Sequence, residues 1–130
     1  MRGAAVTRIL LVEDNELNRS LVRAIIARTA EPLLQGVDLV EAETLAQVQA
    51  ALAGADGVDV VLLDVHMPEG SGLEVARGLA GRPDRPAVVA LTAAAMAREQ
   101  TAAMDAGCDT FLAKPYTSAD LVRTIVEHLS

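Results

Sequence analysis

Three carboxylates, a hydroxyl and a primary amine stand where short aliphatic runs of this chain stop. Glu13 and Asp14 follow Arg8 to Val12 (RILLV), and Asp64 ends Val58 to Asp64 (VDVVLLD). Thr92 ends Ala87 to Thr92 (AVVALT), and Lys114 ends Thr110 to Lys114 (TFLAK). If these runs are parallel strands, all five side chains reach one rim. Carboxylates crowded together repel, and their ionised forms coexist only beside a compensating cation. An all-oxygen ligand set without His or Cys suits a hard ion, above all Mg²⁺. Because Mg²⁺ takes few protein carboxylates and leaves its other positions to water and phosphate oxygens, such a site suits a phosphoryl group. Asp64 is then the candidate nucleophile, forming an acyl phosphate. Lys114 and the Thr92 hydroxyl are placed to hold the charge that spreads over the equatorial oxygens. No Ser/His/Asp constellation is evident, and neither His66 nor His128 has a nucleophile partner.

The elements that must position these residues follow from the apolar pattern. A fifth run, Val37 to Glu41 (VDLVE), completes a series whose starts are 29, 21, 29 and 23 residues apart. Three of the five runs are almost continuously apolar, the pattern of strands buried on both faces. The intervals carry helical stripes. The first has Leu17, Leu21 and Ile25, with Val22 and Ile26 beside them, and places Asn18, Arg19 and Arg23 on the opposite polar face. The second has Leu45, Val48 and Leu52, stopping at Gly54. The third has Leu73, Val75, Ala76 and Leu79 between Gly72 and Gly81, before the helix-breaking RPDRP turn. The fourth spans Ala94 to Ala106 and stops at Gly107. The last has Leu121, Val122, Ile125, Val126 and Leu129 after a capping Thr117 or Ser118. Five βα units imply an open α/β sandwich with right-handed crossovers, flavodoxin-like, its parallel five-stranded sheet in the order 2-1-3-4-5. The ligand crevice of such a sheet lies at the carboxyl ends of its strands.

Composition narrows the classes of function. The 130 residues make a single domain, 1–130 with a core of about 7–129. Hydrophobic residues are 52%, but 24 are Ala, so Leu, Val and Ile must build the core. One Tyr, one Phe, no Trp and a net charge of −7 leave no stacking surface for bases and disfavour direct nucleic-acid binding. The Ile9 to Val12 run is too short for a signal-peptide core or a membrane span. The single Cys108 reads as a small buried hydrophobe in a reducing compartment. A soluble, cytoplasmic protein with no membrane insertion is expected.

Four motifs then coincide in order: VEDN at Val12 to Asn15, DxxMPxxxG from Asp64 through Met67, Pro68 and Gly72, LTA at Leu91 to Ala93, and AKP at Ala113 to Pro115. Over almost its whole length the chain resembles the response regulator receiver domains of two-component signalling, including the stand-alone chemotaxis regulator and hybrid histidine kinase receivers. The resemblance implies that Asp64 accepts phosphate from a partner phosphohistidine, carried by a histidine kinase or histidine phosphotransfer protein. It implies Mg²⁺ held by Asp14, Asp64 and the backbone carbonyl of His66, with Glu13 assisting through water. Thr92 and Lys114 then read the phosphoryl group, and Thr92 and Phe111 switch the surface of the fourth helix, fifth strand and fifth helix before slow autodephosphorylation. Phe111 lacks the hydroxyl that a Tyr would carry. The Lys114–Pro115 peptide is expected to be cis, and the first helix, near Leu17, Asn18 and Arg19, is the expected docking surface for the phosphodonor. With Ser130 directly after the last expected helix, no output domain is expected within this sequence. Whether it stands alone or belongs to a longer regulator is left open.

Two other functions fit these residues less well. A flavodoxin-like FMN-binding protein conflicts with Glu13 and Asp14 standing where a phosphate-binding loop belongs. A small Mg²⁺-dependent phosphatase needs a second acid and a lid that nothing supplies. His66 reads as flanking the site, His128 as a favourable cation at a helix C-terminus, Met96 and Met104 as helix packing, and Gly72 and Gly107 as turn or capping residues.

Overall fold

The computed structural model describes residues 7–53, 57–67, 70–82, 85–92 and 97–129. The side chains of His66, Met67, Ser71 and Glu99 lie outside that description, as do Gly54, Pro68, Ala93, Ala94 and Met96. Five parallel strands, β1 (Arg8–Val12), β2 (Asp38–Ala42), β3 (Val60–Asp64), β4 (Ala87–Thr92) and β5 (Thr110–Ala113), form one sheet in the order 2-1-3-4-5. Five helices alternate with them: α1 (Glu16–Arg28), α2 (Leu45–Leu52), α3 (Leu73–Ala80), α4 (Ala97–Asp105) and α5 (Ser118–Glu127). Strand bounds fall within two residues of the expected ones, and the expected order holds. A two-residue antiparallel ladder, His66–Met67 against Gly70–Ser71, follows β3 and carried no signal in the sequence.

Alternation along the buried strands sorts the core into two layers. Ile9, Leu11, Val60, Leu62, Val89 and Leu91 face α1 and α5, meeting Val22, Ile26, Leu121 and Ile125. Leu10, Val12, Val61, Leu63, Val88 and Ala90 face α2, α3 and α4, meeting Val48, Val75, Ala76, Leu79 and Ala103. Every residue from Val60 to Leu63 is fully buried, as a central strand covered on both faces requires. Full burial of each such aliphatic side chain contributes roughly 1.5–3 kcal/mol. Side-chain caps start α1, α2 and α5: Asn15 Oδ1 accepts from the Asn18 N–H, while Thr44 with Gln47 and Thr117 with Asp120 close capping boxes. The described part of α4 ends before Gly107, whose φ of +103° explains the glycine. No helix among the described residues is long and apolar enough to cross a membrane.

Three expectations about faces are overturned. Leu17 and Leu21 are 68% and 55% exposed, so the core stripe of α1 is Val22 and Ile26 with Ile25 packed beside them, as expected, but without Leu17 and Leu21. Arg19, expected on the polar face, is only 6% exposed. Met104, expected in helix packing, is 45% exposed. Cys108 behaves as expected: it is buried, and burial together with the Asp109 charge pushes its thiol up to about 11. Since the thiolate is the reactive form, a thiol reagent at pH 8 is expected to label Cys108 only after denaturant is added. Rapid labelling of the native protein would show that its burial is wrongly assigned.

Candidate functional site

The carboxyl ends of β1, β3, β4 and β5 bring the candidate residues to one rim. Glu13 leaves β1 with its backbone N–H bonded to the Ala42 carbonyl, and it is 2% exposed. Asp64 closes β3 and is 4% exposed, whereas Asp14 is open to solvent. Carboxylate oxygens of Glu13, Asp14 and Asp64 all lie within 4.8 Å of one another. The Lys114 ammonium is 3.2 Å from Glu13 Oε1 and 3.7 Å from Asp64 Oδ1. Its own N–H donates to the Thr92 carbonyl at 2.8 Å, which joins the ends of β4 and β5. Glu13, Asp14, Asp64 and Lys114, spread through the sequence, thus form one constellation, and Thr92 reaches the same rim through its backbone, because parallel strands all end on the same side.

The electrostatics of the rim are unbalanced toward negative charge. Burial raises the Glu13 carboxyl above its ordinary range, the hydrogen bond and charge of Asp64 raise it further, and the Asn15 N–H and Lys114 only partly offset this. The phenol of Tyr116, two residues past Lys114, is raised by burial and then by the charges of Glu13 and Asp64. At the end of β4, Thr92 is fully buried, and its Oγ1 has no hydrogen-bond partner among the described residues. Crowded carboxylate oxygens, two of them from buried residues, suit a divalent hard cation. An unpaired hydroxyl and an ammonium beside them suit an oxyanion.

His66 stands two residues past Asp64, at the start of the short ladder. Phe111 pairs with Ala90 across β4 and β5 and is half-buried against the α2–α3–α4 layer. The Lys114–Pro115 peptide is cis, as expected. His128 caps α5, its Nδ1 2.8 Å from the Thr124 carbonyl.

Two residues have roles that the sequence did not disclose. Gly72 caps α3, as expected, but its φ of −59° suits any residue, so space and not conformation requires glycine there. A Cβ there would lie 2.3 Å from the Asp64 carbonyl oxygen. Arg19 donates from Nη1 to the carbonyls of Glu13 and Asp14 at 2.9 and 3.0 Å. Its 3.6-residue periodicity put it with Arg23; only the fold discloses its burial. Between α1 and α5 runs an open groove of about 1210 Å³, lined among others by Leu21, Ile25, Pro115, Tyr116, Val122 and Val126.

The model of the response regulator receiver domain matches residues 9–126. The polar-differentiation response regulator DivK of Brucella anthropi is 31% identical over 123 residues, covering 93% of this chain and 94% of DivK. DivK of Brucella ovis matches equally, at 31% over 123 residues with the same coverage. Among solved structures, a CheY-like receiver domain protein of Methanospirillum hungatei superposes with a TM-score of 0.80 at 22% identity, over 96% of this chain and 94% of that one. A protein described as a two-component response regulator/GGDEF domain protein gives 0.82 at 22% identity, over 95% of this chain; the chain spans about half (49%) of that longer protein. The structural matches establish the shared fold; the family model and the DivK relatives go further, and by them this chain belongs to the response regulator receiver domains of two-component signalling.

Proposed function

We propose that this receiver takes a phosphoryl group onto Asp64 from the phosphohistidine of a histidine kinase or histidine phosphotransfer protein, and later hydrolyses it. The observation that carries the reading is the grouping of Glu13, Asp14 and Asp64 oxygens within 4.8 Å, with Lys114 3.7 Å from Asp64 Oδ1. An Asp64 carboxylate oxygen attacks phosphorus, the bond from phosphorus to the donor imidazole nitrogen breaks, and the imidazole departs with that electron pair. Water later attacks phosphorus, returning free Asp64 and inorganic phosphate. Asp14, Asp64 and the His66 carbonyl are the proposed Mg²⁺ ligands, with Glu13 acting through water; bound there, Mg²⁺ neutralises charge on the carboxylates and on the phosphoryl oxygens.

Lys114 supplies a second positive charge to the phosphoryl oxygens, and the unpaired Thr92 hydroxyl supplies a donor. Turning Thr92 toward that new acceptor leaves space beside β5, into which Phe111 moves from its half-buried position. This is a local charge change biasing a two-state packing, and it reads out on α4, β5 and α5. The phosphodonor docks on α1, where Leu17 and Leu21 are exposed beside the groove to α5. Exposed apolar side chains next to a charged rim are what a partner helix can cover.

The test is direct. With Mg²⁺ and a small phosphodonor, the intact mass of the wild type should rise by one phosphoryl group. Asp64→Asn, or the wild type in excess chelator, should gain none. Labelling of Asp64→Asn to the wild-type level would overturn the assignment.

A further inference from the structure

We propose that Arg19 is the positioning residue of the cation site, pinning the two peptide carbonyls from which the Glu13 and Asp14 side chains depart; this rests on reading that cluster as a divalent-cation site. Only Glu13, Asp14 and Asn15 separate β1 from α1, so a small rotation of either peptide displaces a carboxylate. Arg19 holds both peptides through one nitrogen, Nη1, at 2.9 and 3.0 Å. Its remaining donors are occupied by acidic side chains: Nη2 meets Glu16 and lies 2.6 Å from Glu43 Oε1, while Nε is 3.5 Å from Glu41 Oε1.

A buried guanidinium is costly unless every donor finds an acceptor. Here the acceptors come from three places: the β1–α1 loop, the first turn of α1 and the end of β2. Arginine alone among the side chains spans them, because its planar fork presents five N–H donors in fixed directions. Lysine keeps the charge but offers a single ammonium on a shorter reach. Asn15 completes the clamp from the other side, its N–H donating to Glu13 Oε2 at 3.2 Å. Asp14 is the site's exposed carboxylate, so no packing fixes it; its direction depends on the peptide that Arg19 holds. Partners that orient metal-ligating groups typically matter by about 10–100-fold in metal affinity.

The rival account is that Arg19 only ties α1 to β2 through its glutamates. Magnesium titration by calorimetry on the full chain, with the melting temperature in chelator, separates the two. Arg19→Lys and Arg19→Met should each weaken Mg²⁺ binding about tenfold or more. Glu43→Gln removes an ion-pair charge but keeps an amide oxygen as acceptor and leaves both carbonyl contacts, and should stay within about twofold of wild type, as the half-exposed Glu43 permits. Should Arg19→Met fail to fold, Arg19→Lys, which keeps the charge, decides the matter. Wild-type affinity in Arg19→Lys, or an equal loss in Glu43→Gln, would overturn the positioning role. A wild type that binds no Mg²⁺ would instead sink the cation reading beneath it, and the inference with it.

Discussion

Gly72→Ala should lower stability by about 3 kcal/mol, the upper end of what overpacking costs, while Gly78→Ala in the same helix should raise it by roughly 0.5–1 kcal/mol. The opposite signs come from space and not from backbone angles. Gly78 sits in α3 on the solvent side, and a Cβ there meets nothing within 4 Å. It therefore gains the helical preference of alanine without any contact to repay. Gly72 precedes the first turn of α3, and its N–H donates to the Val65 carbonyl at 3.2 Å. That bond draws α3 onto the strand end so closely that an added Cβ would lie 2.3 Å from the Asp64 carbonyl oxygen and 3.2 Å from Leu63 Cδ1. The nearest obstacle is backbone and cannot rotate away. Either α3 retreats or Asp64 moves, and Asp64 is the proposed phosphoacceptor. Chemical denaturation should give the stability loss, and phosphorylation by a small donor should slow in the same variant. A Gly72→Ala protein as stable as the wild type would mean that the close approach is not real.

Thr92→Val is expected to move stability and signalling in opposite directions. The Thr92 hydroxyl is buried without a partner, a condition that costs about 1–3 kcal/mol. Valine has nearly the same shape, favours strands and removes the orphaned donor, so the variant should gain about 1 kcal/mol. The backbone bond from the Lys114 N–H to the Thr92 carbonyl is untouched. In the phosphorylated protein the balance reverses, because the donor that would meet a phosphoryl oxygen is gone. Phosphorylation should still occur in Thr92→Val, but the accompanying changes on α4, β5 and α5, followed by nuclear magnetic resonance, should shrink to a small fraction of the wild-type response. If valine destabilises the resting protein, the hydroxyl already has a partner, and the account of Thr92 as a waiting donor fails.

Much of this molecule was legible before its coordinates. Runs such as Val60–Leu63, apolar at every position, could only be strands covered on both faces, and residues at their ends had to share a rim. Glu13, Asp14, Asp64, Thr92 and Lys114 stand at those ends, and parallel strands leave no freedom in which side their ends face. The rotation of α1 was not legible. Its apolar residues make one broad stripe of Leu17, Leu21, Val22, Ile25 and Ile26, and periodicity cannot say which edge of it faces the sheet. The choice is made by contacts distant in sequence: a three-residue loop after β1 and the bonds of Arg19 to that loop and to Glu41 and Glu43 turn Val22 and Ile26 inward and leave Leu17 and Leu21 exposed.

The same division explains Gly72. The motif marks the position, but its backbone angles are ordinary, so the reason for glycine arises only where α3 closes on the end of β3. Local pattern, read along the chain, decides which segments are strands and helices and which chemistry their ends carry, since propensity and burial act over a few residues. The distances that make the rim a site, from the 4.8 Å spread of its carboxylates to the clamp of Arg19 beneath them, belong to tertiary packing, which alone brings residues a hundred positions apart into contact.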